Sequence, residues 1–378
     1  MDERYSLLRG GPIYRLSRVG GSDRLSAPLL AGALVAIVLV PAVVMTLLHG
    51  TLLGGVAVPF VRDYTVWTRF LLAMPLLVLA APMADERLWR ALHHLRGLVL
   101  PHDHERFEST VARLRRWRDS SFPELTLFVL AVAASYLAPQ LPLYEQVGNW
   151  RSGAHGLTPA GLWIHWLGMP VFRFLFFLWL WRLLLWICLL ARFARLELAL
   201  HAAHPDGRGG LAFLGFAQTA FIVLPLAGGL MVGGSCAVEI EYLGTTLHSL
   251  RFVLLGYVVL ALAMMMAPLL LLAPRLAALK RAGLFAYGAL GTDCTEEFEQ
   301  KWLGRARGDA APIIEAGDPS ALADLTGVYS TVSNMVTVPV QRFVLIQFLV
   351  ASIAPLLPLA LLVMPVDELF EKLFSTLV

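Results

Sequence analysis

The stretch PVFRFLFFLWLWRLLLWICLLARF, Pro170–Phe193, decides how this chain is read. Apart from Arg173 and Arg182, it runs from a proline to Leu190 without a charged residue. About 20 mostly apolar residues suffice for a helix to cross a bilayer, and a run of this length exceeds a soluble core helix. Similar runs lie on both sides of it. They are Ala27–Leu48, Val66–Met83, Phe122–Pro139, Leu211–Ala237, Phe252–Pro274 and Phe343–Pro365. The expected fold is all-α, a polytopic transmembrane helical bundle of about seven spans. Composition agrees: 58% of the 378 residues are hydrophobic and 15% charged, and the mean hydropathy is +0.69. Soluble domains are nearer 45–50% apolar and about 25% charged.

Charge gives an orientation. Outside the apolar runs, twenty-three arginines and lysines fall in the N-terminal segment and the second-to-third, fourth-to-fifth and sixth-to-seventh connections. The alternate side holds four: Arg62, Arg151, Arg251 and Lys372. By the positive-inside rule the N-terminus is cytoplasmic and the C-terminus extracytoplasmic. The first run starts after 26 residues and has no small-residue cleavage pattern behind it, so it reads as a retained span rather than a secretory signal. The arginines form no stripe or motif, so nucleic acid is not an expected partner. Cys188, Cys236 and Cys294 are too scattered for a disulfide framework or thiolate metal site. The immediate partner is the lipid bilayer.

The organisation follows. Residues 1–26 form a basic cytoplasmic segment and 27–274 a six-span bundle. Within it, cytoplasmic loop helices are expected over 85–121, where Phe107, Val111, Leu114 and Trp117 recur at helical spacing opposite arginines. Residues 275–342 are too long for a structureless connection. They turn near Pro312 and restart a helix at Asp318-Pro319-Ser320, followed by the stripe Leu322, Leu325, Val328, Tyr329, Val332 and Met335. This is a cytoplasmic helical layer. The seventh span is 343–365. An amphipathic extracytoplasmic tail, 366–378, carries Leu369, Phe370, Leu373 and Leu377.

Chemistry has few places to reside. Arg182 falls near mid-span, where an arginine costs about 2.5–3.5 kcal/mol on insertion scales. It belongs on the bundle interior, yet no acidic residue lies at matching depth within the seven runs. An anion, headgroup or gating site fits it, and so does a structural hydrogen-bond hub. Arg173, nearer the outer end, has the reach to snorkel, and Gln218 adds a polar position to the fifth run. Before that run stands His204-Pro205-Asp206-Gly207-Arg208-Gly209-Gly210, with His201 one turn earlier. His201, His204 and Asp206 suit a divalent metal or, alternatively, a helix stop and cap. His93, His94, His102, Asp103 and His104 admit a pH or metal sensor, or solvated polar positions. The Gly228, Gly229, Gly233 and Gly234 set suits close helix packing. In the last span Gln347, Phe348 and Ser352 precede Pro355 and Pro358, a pattern suited to a cavity lining or to interhelical hydrogen bonds. Nucleotide-binding and hydrolase signatures are absent, so no catalytic residue or cofactor is assigned.

Two resemblances add to this. His204-Pro205-Asp206 with Gly209-Gly210-Leu211, Tyr287-Gly288-Ala289-Leu290, Lys301-Trp302, Ser320-Ala321-Leu322-Ala323-Asp324-Leu325 and Ala354-Pro355-Leu356-Leu357-Pro358-Leu359 resemble an uncharacterised group of bacterial polytopic membrane proteins. That implies a location in the bacterial inner membrane. More distantly, seven spans, large cytoplasmic loops and a broken last helix resemble the insect gustatory and odorant receptors, which are tetrameric ligand-gated cation channels. Gln347-Phe348 matches the end of their last-helix pattern, although Val340-Gln341 stands where they carry threonine-tyrosine. The resemblance implies that Gln347 and Phe348 face an axial pore in a homo-oligomer, with a tetramer favoured. The leading expectation is an oligomeric ion channel or permease taking an ion or small-molecule ligand. The alternatives are a membrane-embedded enzyme acting on lipids, and a sensor or scaffold.

Overall fold

A computed structural model describes residues 23–137, 146–153, 156–303 and 318–363, with side chains from residue 27. Most of the basic N-terminal segment, Pro139, the turn at Pro312 and the amphipathic tail lie outside the described residues. The described chain is helical apart from one two-residue ladder, Ser152–Gly153 with Gly156–Leu157. We number the helices α1 Asp23–Leu48, α2 Tyr64–Leu98, α3 His104–Asp119, α4 Ser121–Leu137 and α5 Pro159–Phe193. They continue with α6 Phe213–Leu243, α7 Leu247–Leu270, α8 Ala273–Trp302, α9 Asp318–Ser333 and α10 Arg342–Leu362.

Six of these, α1, α2, α5, α6, α7 and α10, are long and apolar enough to cross a membrane. A seventh is counted if the pair Pro101–Asp119 and Ser121–Leu137, bent by 48°, is one span. The chain is a multi-pass integral membrane protein built as an all-α bundle. The third span expected over Phe122–Pro139 corresponds to α4. Two others outrun their apolar stretches: α2 continues past Met83 to Leu98, and α5 starts eleven residues before Pro170. In α2 the apolar run ends where charge begins, at Asp85, Glu86 and Arg87, whereas the backbone hydrogen bonds of the helix continue to Leu98.

Helix α6 is the centre. It is the most buried of the spans and packs against α2, α7 and α10. Its glycines set how closely these neighbours approach. A Cβ on Gly234 would stand 2.1 Å from Thr68 Oγ1, and one on Gly229 2.9 Å from Pro355. The glycines therefore serve close packing.

Four spans are irregular, and proline accounts for each. Wide turns at Trp67–Ala73 in α2 and Ile164–Gly168 in α5 precede Pro75 and Pro170. In α6 a tight turn at Thr219–Phe221 precedes Pro225, and in α10 a tight turn spans Ala354–Leu356 around Pro355. Each proline removes the N–H its helix would have used four residues back. The wide turns of α2 and α5 meet: Arg69 Nη1 donates to Met169 Sδ at 3.4 Å, and Gly168 seats against Phe70 and Val38.

At one end of the bundle, loops 49–63 and 146–158 are joined through Val58 and Asn149. Asp63 is wholly buried there. Its Oδ2 accepts from Trp150 Nε1 at 2.8 Å and Arg151 Nη2 at 3.3 Å, while Oδ1 accepts from the Thr65 N–H and hydroxyl. The opposite end gathers the basic connections. Leu98–His104 is stitched to the end of α5 by Leu100 N–H to Glu197 O, 3.1 Å, and Ala199 N–H to Leu98 O, 2.8 Å. Below it α3 packs against α5 through Phe107, Val111 and Leu114, and Trp117 stacks on Trp181. These are the four residues whose spacing marked the helix.

The α8–α9 hairpin forms the rest of this layer. Leu322, Leu325, Val328, Val332 and Met335 turn inward, the last two fully buried, while Tyr329 stays exposed. An ion pair from Lys301 to Asp318, with Trp302 Nε1 to the same carboxylate at 3.2 Å, ties the hairpin across its open end. At its root Gly283 faces Ala202, where an added Cβ would come within 2.5 Å of the alanine methyl. Gly283→Leu is therefore expected to cost about 1–3 kcal/mol through overpacking. A lower thermal midpoint and faster protease cleavage within 284–318 would register it.

Candidate functional site

The three candidates in the last span separate. Phe348 and Ser352 are wholly buried within the chain against the core, and the Ser352 hydroxyl donates to Phe348 O at 2.8 Å. Gln347 is half-buried. It follows exposed Phe343 by four residues and precedes exposed Val350 by three, but it also follows buried Val344 by three and precedes buried Ala351 by four, so it stands at the edge of the face α10 buries. Gln347 makes no side-chain hydrogen bond among the described residues. The expected pairing of Gln347 with Phe348 on one pore-facing surface is corrected for Phe348. Residues i and i+1 of a helix differ by about 100°, and here that places Phe348 in the core and Gln347 at its edge.

Arg182 does have acidic company. Its guanidinium lies over the Trp179 ring, 5.4 Å from the centroid, and the carboxylates acting on it are Asp85 of α2 and Glu124 of α4, with Arg118 opposing. Asp85 is 4% exposed. Its position past the end of the second apolar run is why the sequence shows no acid at this depth. Arg173 stands 14 residues into α5, about 21 Å along the axis at 1.5 Å per residue. Its Nη1 is buried with no hydrogen-bond partner.

Gln218 sits at the break of α6 and is wholly buried. Trp186 Nε1 donates to Gln218 Oε1 at 2.9 Å, which fixes the amide's orientation. Gln218 Nε2 has no partner. The next residue, Thr219, accepts from Arg87 Nη1 on its hydroxyl at 3.0 Å and on its carbonyl at 3.4 Å. The guanidinium also lies 5.4 Å over the Phe216 ring. Two polar contacts therefore meet consecutive residues at the break of α6, Trp186 on Gln218 and Arg87 on Thr219. Sequence reading found Arg182 and Gln218 but missed Arg87 and Asp85, whose only signal is continued helical spacing beyond Met83.

The glycine-rich loop is a structural latch. Asp206 accepts the backbone N–H of Arg208 at 2.7 Å, Gly210 at 3.1 Å and Ala212 at 3.0 Å, and pairs with His204 Nδ1 at 2.9 Å. Burial by itself would raise its pKa; the Ala212, Arg208 and Gly210 amides and His204 outweigh that and hold it below the usual value. Gly207, Gly209 and Gly210 take φ of 62°, 65° and 94°, which favours glycine. Arg208 then reaches Val340 O with Nε at 3.1 Å and Nη2 at 2.9 Å, and the Val336 N–H bonds Gly207 O at 2.9 Å. The loop thereby joins α6 to the segment before α10. His201 contributes its carbonyl to the His204 N–H. Of the stop, glycine turn and cap expected here, the glycine turn is present; the preceding helix has already ended at Phe193, and Ala212 at the start of α6 has no side-chain cap.

The histidines of 93–104 are dispersed. His93 stacks on Trp89, His94 meets Phe213 edge-on, His102 pairs with Glu197 at 3.3 Å, and His104 bonds Val99 O at 2.8 Å. Asp103 is held below its usual pKa first by the Glu197 N–H, with Arg106 and His102 adding to it against burial. Among the described residues no three His, Cys, Asp or Glu side chains are grouped to hold a metal, and the three cysteines are free thiols.

Comparison of the chain with protein-family models, with curated proteins and with solved structures finds no match in any of the three.

Proposed function

We propose that the chain is one protomer of an oligomeric ion channel or permease, a tetramer by preference, in a bacterial inner membrane. Its N-terminus is cytoplasmic and its C-terminus extracytoplasmic, in line with the charge asymmetry. The last span lines the path. One observation carries this reading: Gln347, a half-buried amide without a partner among the described residues, stands where the buried face of α10 meets its exposed Phe343 and Val350. Hydrocarbon leaves an amide's hydrogen bonds unmade, at a cost of a few kcal/mol. A second copy or a hydrated path supplies them. Phe348 and Ser352 support that face from behind, as packing rather than lining.

The test is Gln347→Cys in a chain whose Cys188, Cys236 and Cys294 are replaced by alanine. Mild oxidation in the membrane is expected to yield a disulfide between copies, and Gln347→Leu to lower reconstituted flux at least tenfold. Unlinked monomer together with unchanged flux would remove Gln347 from the path.

The scaffold reading rests on a different observation. Phe285, on α8, is 81% exposed, a large apolar side chain left uncovered on the hairpin. The lipid-enzyme reading drew on Asp206, whose carboxylate is committed to three backbone amides.

A further inference from the structure

The break in α6 collects hydrogen-bond donors without matching acceptors. Gln218 is wholly buried, and Trp186 occupies its oxygen, so the amide cannot be turned to hide its NH₂ group. Two N–H donors are left over at Nε2. Native proteins seldom tolerate this, because an unmade buried hydrogen bond costs about 1–3 kcal/mol. One residue further on, Arg87 bonds only the neutral oxygens of Thr219 and the face of Phe216. Among the described residues no carboxylate lies within ion-pair distance of it. Arg87 is half-buried and the Phe216 ring beneath it is 54% exposed, so this cation stands at the edge of the bundle, open to an anion from solution. Amide N–H groups and a guanidinium together complement a small anion, and the amide alone would also be satisfied by water.

We propose that the break in α6 binds a small monovalent anion, of halide or nitrate size, held by Gln218 Nε2 and the Arg87 guanidinium. The site lies inside one chain at the basic end of the bundle. It is separate from Gln347 and from any path between copies, so it stands or falls independently of the channel reading. Its charge balance is simple. The anion neutralises Arg87, while Trp186 and Thr219 orient the two donors without adding charge.

Thermal unfolding of the purified protein in neutral-lipid nanodiscs tests this, with sodium bromide exchanged for sodium gluconate at constant ionic strength. The wild-type midpoint is expected to rise with bromide and saturate. Gln218→Glu keeps an acceptor for Trp186 but replaces the NH₂ donors by a negative charge, and is expected to weaken apparent bromide affinity at least tenfold. Arg87→Gln, which keeps a donor for Thr219, is expected to do the same. In crystals soaked in bromide, an anomalous peak is expected within hydrogen-bonding reach of Gln218 Nε2. Equal midpoints in bromide and gluconate, wild-type bromide affinity in Gln218→Glu, or no peak beside Nε2 would each overturn the proposal; the first is also the outcome if water fills the site.

Discussion

Asp63→Ala is expected to cost about 3–5 kcal/mol, the range for removing one partner of a buried ion pair. Asp63 is wholly enclosed, and its carboxylate gathers the Trp150 indole, the Arg151 guanidinium and both polar groups of Thr65. Alanine takes the buried carboxylate away from the Arg151 guanidinium and leaves the indole N–H without its acceptor. Arg151 retains Thr65 Oγ1, at 3.0 Å, and its position 5.0 Å over the Trp150 ring, which are weaker compensations. The consequence extends beyond the loops. Arg151 O lies where a Cβ on Gly161 would fall, so displacing Arg151 disturbs the first turn of α5. The readout is the thermal midpoint in nanodiscs, with limited proteolysis of 146–158 as a local probe. Asp63→Asn, which keeps one acceptor, is expected to fall between alanine and wild type.

Asp206→Ala carries the second large effect, on the order of 3 kcal/mol, since hydrogen bonds to a charged acceptor are worth about 1.5–3 kcal/mol each and this one is partly solvated. Three amides at the start of α6 lose their acceptor, and the turn that presents Arg208 to Val340 O loosens with them. The pH dependence has a definite sign. The folded pKa of Asp206 lies below its unfolded value, so its contribution is complete above about pH 4, the ordinary carboxylate value. It declines as pH falls toward the lowered folded value. Wild type should lose stability on acidification through that window, and Asp206→Ala should lose less. Parallel pH profiles for the two proteins would show that the latch contributes nothing.

The legible part of this fold is the part that hydropathy reports. Seven apolar runs correspond to six spanning helices and a bent pair, and the Phe107, Val111, Leu114 stripe predicted the face α3 buries. Residues 318–333 are helical, as the stripe after Asp318-Pro319-Ser320 implies. Polar partnerships were not legible. Asp85 escaped because it follows the apolar run, although the helix carries it into the bundle. The Trp186–Gln218 pair joins residues on two helices whose mutual rotation no local pattern encodes. In α10 nearly every residue is apolar, so the sequence has no periodicity to separate Phe348 in the core from half-buried Gln347 at its edge. The His204–Gly210 loop was open between metal site and cap because both use histidine, aspartate and glycine. Only the direction of the Asp206 oxygens, toward amides of its own chain, separates them.

The central claim is that Gln347 faces other copies of the chain, and particle mass and symmetry in lipid nanodiscs test it without knowledge of any ligand. The account predicts a closed oligomer, four-fold by preference, with α10 at its axis and Gln347 nearest that axis. A monomer, or an assembly with α10 on its lipid-facing perimeter, would contradict it.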